Sequence, residues 1–191
     1  METMVKQKEI ILADWINKHV LICGGAGLIG SHLARRLVGY GAYVTIADDF
    51  SSGHRKNLEG INCVMANVDL RNPEECKNMV KGEDAIFQLA ANMGGIGYIT
   101  KVGFDIMADS AQININMLRA YLDSEASQYF YSSSACVYPE NLQTESIVIP
   151  LKESDVFPYA PDQFYGLEKI FTEQMCKSFQ VDLMANAVTW P

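Results

Sequence analysis

The chain has 191 residues, 49% apolar and 20% charged, and its 15 Lys and Arg against 23 Asp and Glu give a formal net charge of −8. That length fits one domain able to bury a core without disulfide or metal staples, and the composition excludes a disordered chain. An acidic chain with no basic block is unsuited to gripping nucleic acid or an anionic membrane, although backbone amides at a helix end still bind phosphate.

Residues 1–17 mix Ile10, Ile11, Leu12, Trp15 and Ile16 with charges and are expected to form a short amphipathic extension on the edge of a single domain, 18–191. His19–Cys23 reads as a short buried strand, stopped by Gly24 and Gly25. The spacing over Gly27–Tyr40 predicts a helix with Leu28, Ile29, Leu33, Leu37 and Val38 on its buried side and Arg35 and Arg36 in solvent. Strands are predicted at 42–47 and 61–65. Asn72-Pro73-Glu74-Glu75 then supplies an N-cap, a proline at the first helical position and acids on the positive end of a helix running to about Lys81. A strand over 84–89, a helix over 105–124 around Ile106, Ile113, Met117 and Leu118, and a strand over 128–133 follow. The last two predicted elements are a helix at 163–180 and a strand at 181–188.

Strands alternating with helices at this rhythm predict an α/β fold: a Rossmann-type, doubly wound parallel sheet with helices on both faces. Ligands of such sheets sit beyond the carboxyl ends of the strands. Gly24, Gly27 and Gly30 stand between a strand and a helix. There they allow a tight turn, a close approach of backbone to a pyrophosphate and close helix–strand packing. Asp48 ends the second strand, 18 residues past Gly30, where a carboxylate accepts the hydroxyls of an adenosine ribose. The same charge repels a 2′-phosphate, so NAD is favoured over NADP, with Arg55 and Lys56 close enough in sequence to soften that preference.

Tyr165 and Lys169 form Tyr-x-x-x-Lys on one face of a predicted helix, so the ammonium is expected to lower the phenol's pKa and make a base for an alcohol proton. Ser132, Ser133 and Ser134 close the strand before it. The five cysteines, Cys23, Cys63, Cys76, Cys136 and Cys176, are scattered and odd in number, which points to free thiols in a reducing, cytoplasmic setting. His19, His32 and His54 show no ligand spacing, and no metal is expected. No apolar run approaches the roughly 18 residues needed to span a bilayer, and no membrane role is expected.

Taken together, these segments resemble the extended short-chain dehydrogenase/reductase family of NAD-dependent nucleotide-sugar epimerases and dehydratases, over about residues 19 to 180. Leu89-Ala-Ala-Asn-Met-Gly-Gly-Ile-Gly-Tyr98, Ser132-Ser-Ser-Ala-Cys-Val-Tyr-Pro-Glu140, Leu151-Lys-Glu-Ser-Asp155 and Tyr165-Gly-Leu-Glu-Lys169 look most like the branch that epimerises GDP-mannose at C3 and C5. The GDP-fucose-forming branch shares the cysteine and the Tyr-Pro. The resemblance implies NAD as cofactor, a nucleotide sugar of the GDP-mannose class as substrate, and a homodimer. It further implies catalysis by Ser134, Cys136, Tyr165 and Lys169. Cofactor contacts are implied at Gly24, Gly27, Leu28, Ile29, Gly30, Asp48, Asp69, Leu70, Leu89, Ala90, Ala91, Tyr165 and Lys169. Substrate contacts are implied at Met93, Gly94, Gly95 and Ser134.

The sequence departs from the family pattern at several places. Cys23 replaces a threonine, Asn92 an aspartate, and Ser110 stands where an asparagine is expected, with Asn114 and Asn116 close by. Val181–Pro191 lacks the text expected after a sixth strand. The chain is therefore expected to be the cofactor-binding half of such an enzyme, without its C-terminal sugar-binding region and with little turnover alone. A non-catalytic NAD-holding module is the alternative.

Overall fold

The computed structural model describes residues 14–93, 103–142, 150–161 and 163–183. Five parallel strands, β1 (His19–Cys23), β2 (Tyr43–Asp48), β3 (Cys63–Asn67), β4 (Ala85–Gln88) and β5 (Gln128–Tyr131), form one sheet in the order β3-β2-β1-β4-β5. Four helices accompany them: α1 (Leu28–Gly39), α2 (Pro73–Met79), α3 (Gly103–Leu122) and α4 (Gln163–Leu183). The parallel, doubly wound architecture is the one the alternation predicts.

Side chains alternate across a strand, so β1 feeds two cores. Val20 and Ile22 join Val44, Ile46, Ala34 and Leu37 under α1 on one face. Leu21 and Cys23 join Ile86, Tyr129, Met117, Tyr121 and Phe179 under α2, α3 and α4 on the other. Tyr121 stacks on Phe179 with ring centroids 5.3 Å apart, fastening α3 to α4. Below the sheet, Asp84 clasps the start of β1: it accepts the His19 N–H at 2.8 Å and the Lys18 ammonium at 3.0 Å. Trp15, from the expected N-terminal extension, packs its ring on Phe87 at 5.9 Å; residues 1–13 lie outside the described residues.

The helix start at Asn72 matches its sequence signals, with the Asn72 side chain accepting the Glu74 N–H at 3.0 Å and Pro73 in the first turn. Other expectations need correction. Leu28 and Ile29 are exposed, at 76% and 70%, and do not share the buried side of α1. That side is carried by Gly30, Ser31, Ala34 and Leu37, because the first turn projects past the sheet edge. β3 sits two residues later than predicted: the Ile61 N–H is taken by the Leu58 carbonyl in the preceding turn, at 3.1 Å. The strand expected from Val181 does not begin there, since α4 continues through Leu183; 184–191 lie outside the described residues. Among the described residues, no helix is long and apolar enough to cross a membrane.

Candidate active site

The strand order reverses direction about β1, so a crevice opens between the carboxyl ends of β1 and β4. It holds a cavity of about 720 Å³, lined among others by Gly24, Gly27, Ile29, Asp48, Asp69, Leu70, Leu89, Ala90, Ala91, Met93, Tyr165 and Lys169. Many of the sequence-derived residues thus border one space, drawn from every strand end of the sheet, whereas Leu28, Gly30, Ser134 and Cys136 do not line it.

The glycine turn has the backbone demands expected of it. Gly24 has a φ of +71°, and a Cβ there would lie 2.9 Å from the Ala90 backbone. A Cβ at Gly30 would sit 2.6 Å from the Gly24 carbonyl oxygen. At Gly27 a Cβ would touch only the Gly24 carbonyl oxygen, at a tight 3.3 Å that asks the turn to give slightly, and the position borders the cavity. Gly27 precedes α1, whose first amides present partial positive charge where a pyrophosphate would lie. The exposed Leu28 and Ile29 belong to this first turn, and Ile29 lines the cavity, which is why burial failed as their explanation.

Asp48 is nearly buried and already employed. Its Oδ2 accepts the Ala26 N–H at 2.9 Å and its Oδ1 the Phe50 N–H at 2.8 Å, tying the glycine turn to the end of β2. The second bond steadies Phe50 in its left-handed conformation (φ 57°), and the Arg55 guanidinium lies 3.9 Å from the Phe50 ring centroid. Asp48→Ala should therefore do more than move the NAD/NADP affinity ratio toward NADP. It strands the fully buried Ala26 N–H, at a cost of about 2 kcal/mol in urea unfolding. Unchanged stability would mean the carboxylate does not hold the turn, and an unchanged ratio would mean it does not read the ribose.

Just past the end of β3, Arg71 joins both oxygens of Asp69 and reaches Asp109 of α3 at 3.2 Å. The guanidinium holds the Asp69 carboxyl below its ordinary pKa. Leu70 is buried in the core, and its carbonyl accepts from Asn116 at 3.2 Å. The Asn92 amide donates to Asp109 at 2.9 Å, and the Asn92 N–H to the Ser110 hydroxyl at 3.2 Å. Ser110 thus anchors the start of the glycine-rich loop that carries Met93. Gly94 and Gly95 lie outside the described residues.

At the other end, Ser134, Cys136, Tyr165 and Lys169 gather where β5 ends. The Ser134 Oγ accepts the Cys136 N–H at 3.2 Å, capping a short 3-10 turn, Ala135–Val137. The Lys169 ammonium donates to the Ser132 carbonyl at 3.0 Å and stands 4.7 and 5.4 Å from the ring centroids of Tyr131 and Tyr165. The expected lowering of the Tyr165 pKa is not what these surroundings produce. Burial pushes the phenol up, and the hydrogen-bonded Ser134 hydroxyl pulls it only partly back. Lys169 is itself buried and donates to Ser132, and burial pushes its own pKa down.

Sequence reasoning passed over Gly166. A Cβ there would overlap the Cys136 carbonyl oxygen, so this glycine lets α4 lie against the 3-10 turn and brings Tyr165 to Cys136. A glycine inside a helix, which costs about 1 kcal/mol against alanine, was the available signal. A second cavity of about 520 Å³ borders Ser133 and Ser134 on their far side, walled by Val137, Tyr138, Phe157 and Tyr159.

Comparison with known proteins agrees with this geometry. The chain is 41% identical to GDP-mannose 3,5-epimerase of Arabidopsis thaliana over 166 residues, covering 87% of this chain and 44% of the plant protein. It is 42% identical over 163 residues to GDP-mannose 3,5-epimerase 1 of Oryza sativa subsp. japonica, covering 85% and 43%. The chain therefore spans a little under half the length of these relatives. The structure of UDP-N-acetylglucosamine 4-epimerase from Methanobrevibacter ruminantium M1 superposes with a TM-score of 0.78 at 28% identity, over 91% of this chain and 54% of that one. The model of the NAD dependent epimerase/dehydratase family matches residues 20–189. With its glycine turn, its strand-end acid and the open cavity between them suited to a dinucleotide, the chain belongs to that NAD dependent family.

Proposed function

We propose that this chain is the NAD-holding part of a nucleotide-sugar epimerase acting on GDP-mannose at C3 and C5. The supporting observation is that Tyr165 and Lys169 line the large cavity while Ser134, hydrogen-bonded to the Tyr165 phenol and to the Cys136 N–H, holds the Cys136 turn against Tyr165. The likeness to two plant GDP-mannose 3,5-epimerases supports the choice of sugar. Gly24, Gly27, Gly30 and the first amides of α1 would receive the pyrophosphate, and Asp48 the ribose. Bound NAD supplies a reversible hydride acceptor for the sugar C4.

Tyr165 then takes the C4 hydroxyl proton as that carbon is oxidised to a ketone, and Ser134 holds the same oxygen. The positive cofactor and the Lys169 ammonium favour the phenolate that burial alone opposes. The ketone acidifies the hydrogens on C3 and C5. Cys136 would remove one of them at its sulfur, and protonation by water on the opposite face would invert the carbon. When C4 is reduced again, Tyr165 would return its proton to the C4 oxygen, so oxidation and reduction cancel over the cycle. Met93 would face the sugar. The cysteines are free thiols, in keeping with a cytoplasmic setting. Exposed Phe164, Leu167 and Phe171 share one face of α4, and with Phe104 of α3 they would form the contact of a homodimer.

The test is labelling in heavy water. The protein with NAD and GDP-mannose should place deuterium at C3 and C5, slowly, and Cys136→Ala should reduce that label on the order of 100-fold. No label above the blank, with NADH still bound, would favour an NAD-holding module over an enzyme.

A further inference from the structure

The groups of a dinucleotide run in the same order as the strand ends that receive them. With the pyrophosphate at the glycine turn after β1 and the ribose at Asp48 after β2, the base is carried outward to the turn after β3. There Asp69, Leu70, Arg71, Asp109 and Ile113 line the same cavity. That turn is bound to one face of α3. The buried Asn116 amide donates to the Leu70 carbonyl at 3.2 Å and to the Arg71 carbonyl at 2.8 Å. Earlier on the same face, Asp109 accepts from the Arg71 Nη1 at 3.2 Å.

Arg71 is pinned at both ends of its fork. Its Nε donates to Asp69 Oδ1 at 2.9 Å and to Oδ2 at 3.1 Å, and its Nη2 to Oδ2 at 2.8 Å. The Arg71 backbone N–H adds a bond to Oδ1 at 2.9 Å. Asp109 Oδ2 accepts the Asn92 amide as well, at 2.9 Å. The brace therefore joins the turn after β3 to the loop after β4, strands that stand on either side of β2 and β1 in the sheet. A carboxylate accepts about four donors, so Asp69 keeps room for about one more. Arg71 and Asp69 are each nearly half exposed, and such a pair adds little to the stability of a fold. Its place on a cavity wall points instead to a ligand.

We propose that Arg71 and Asp109 are positioning residues that set the base selectivity of the dinucleotide site. Asp109 takes up the Nη1 end of the guanidinium, and the guanidinium holds the Asp69 carboxylate in one orientation. The acceptor site left on Asp69 then receives the exocyclic amino group of adenine. A 6-oxo purine presents an oxygen at that point and is refused. Its N1–H could satisfy the carboxylate only if Asp69 turned to follow it, and the brace prevents that turn. With Asp109 in place, Nη1 is also withheld from the 6-oxygen. The guanidinium keeps Asp69 ionised besides, holding its carboxyl below the ordinary pKa. The proposal rests on the placing of NAD described above and is independent of the chemistry at Tyr165 and Cys136.

The experiment is a fluorescence titration of the protein with NADH and with its reduced hypoxanthine analogue. The wild type should bind NADH on the order of 30-fold more tightly, the worth of one hydrogen bond to a charged group. Asp109→Ala suits a helix and should melt near the wild type, yet lower that ratio about 5-fold. Arg71→Lys keeps the charge but not the fork, and should lower the ratio too. General loosening of the site would weaken both dinucleotides alike and leave the ratio where it was, which overturns the proposal. So does a wild type without preference between the two. If only Asp69→Asn changes the ratio, the base lies at Asp69 but the brace does not set its selectivity. If Asp69→Asn leaves it unchanged as well, the placing of the base falls with the proposal.

Discussion

Gly27→Val is expected to fold with a small loss of stability, about 1 kcal/mol, and to lose NADH affinity on the order of 100-fold, about 2.7 kcal/mol. The two halves of that expectation come from one place in the structure. A Cβ at Gly27 meets a single carbonyl oxygen, at 3.3 Å, so the turn must give by a few tenths of an ångström, while the branches of a valine would enter the cavity that Gly27 lines. Gly30 makes a poor substitute for this test. A Cβ there lies 2.6 Å from the backbone of the turn, and loss of binding would be confounded with loss of fold. Fluorescence titration with NADH, beside a thermal melt, separates the outcomes. Equal affinity in the two proteins would remove the glycine turn from the binding site.

Gly166→Ala should be the most damaging conservative substitution at the catalytic corner. The added methyl overlaps the Cys136 carbonyl oxygen and lies 3.0 Å from the Pro161 side chain, so backbone must move to admit it. A cost of about 3 kcal/mol is expected, at the upper end for overpacking. The movement must also separate Tyr165 from Ser134 and Cys136, because α4 and the 3-10 turn touch through this glycine. Heavy-water labelling should then fall by more than the lost stability explains, while NADH binding at the distant glycine turn persists. A variant with wild-type melting and wild-type labelling would show that the close approach of helix and turn is dispensable.

Much of the fold was legible because its signals are local. Asn72 and Pro73 start a helix by capping and by a preset φ, whatever packs against it. Gly24 and Gly30 are demanded by backbone geometry, and Asp48 is marked by its place at a strand end. The failures are non-local. Leu28 and Ile29 carry the helical period, yet the sheet edge lies one turn away from them. Ile61 is as apolar as any strand residue, but its amide is consumed by a turn. The phenol of Tyr165 answers to the depth of its burial, which no spacing reports. Glu168, between Tyr165 and Lys169 in sequence, carries no local mark of burial, and only the packing of α3 on α4 turns it inward onto Asn114.

The order of strands has a further consequence, in time. β1 pairs with β2 from His19 with Tyr43 to Cys23 with Ala47, so half of the sheet can assemble as soon as β2 and β3 have been made. Its other partner arrives only with Ala85, and the clasp from Asp84 to Lys18 and His19 arrives with it. Until then the central strand of the finished sheet is an edge strand, with apolar Leu21 and Ile22 and unpaired backbone groups along its free side. Such edges recruit other chains. The nascent protein therefore passes through a stage of heightened stickiness that closes when β4 docks, and the crevice for the dinucleotide comes into being at that same step. A nucleotide cannot assist folding before it.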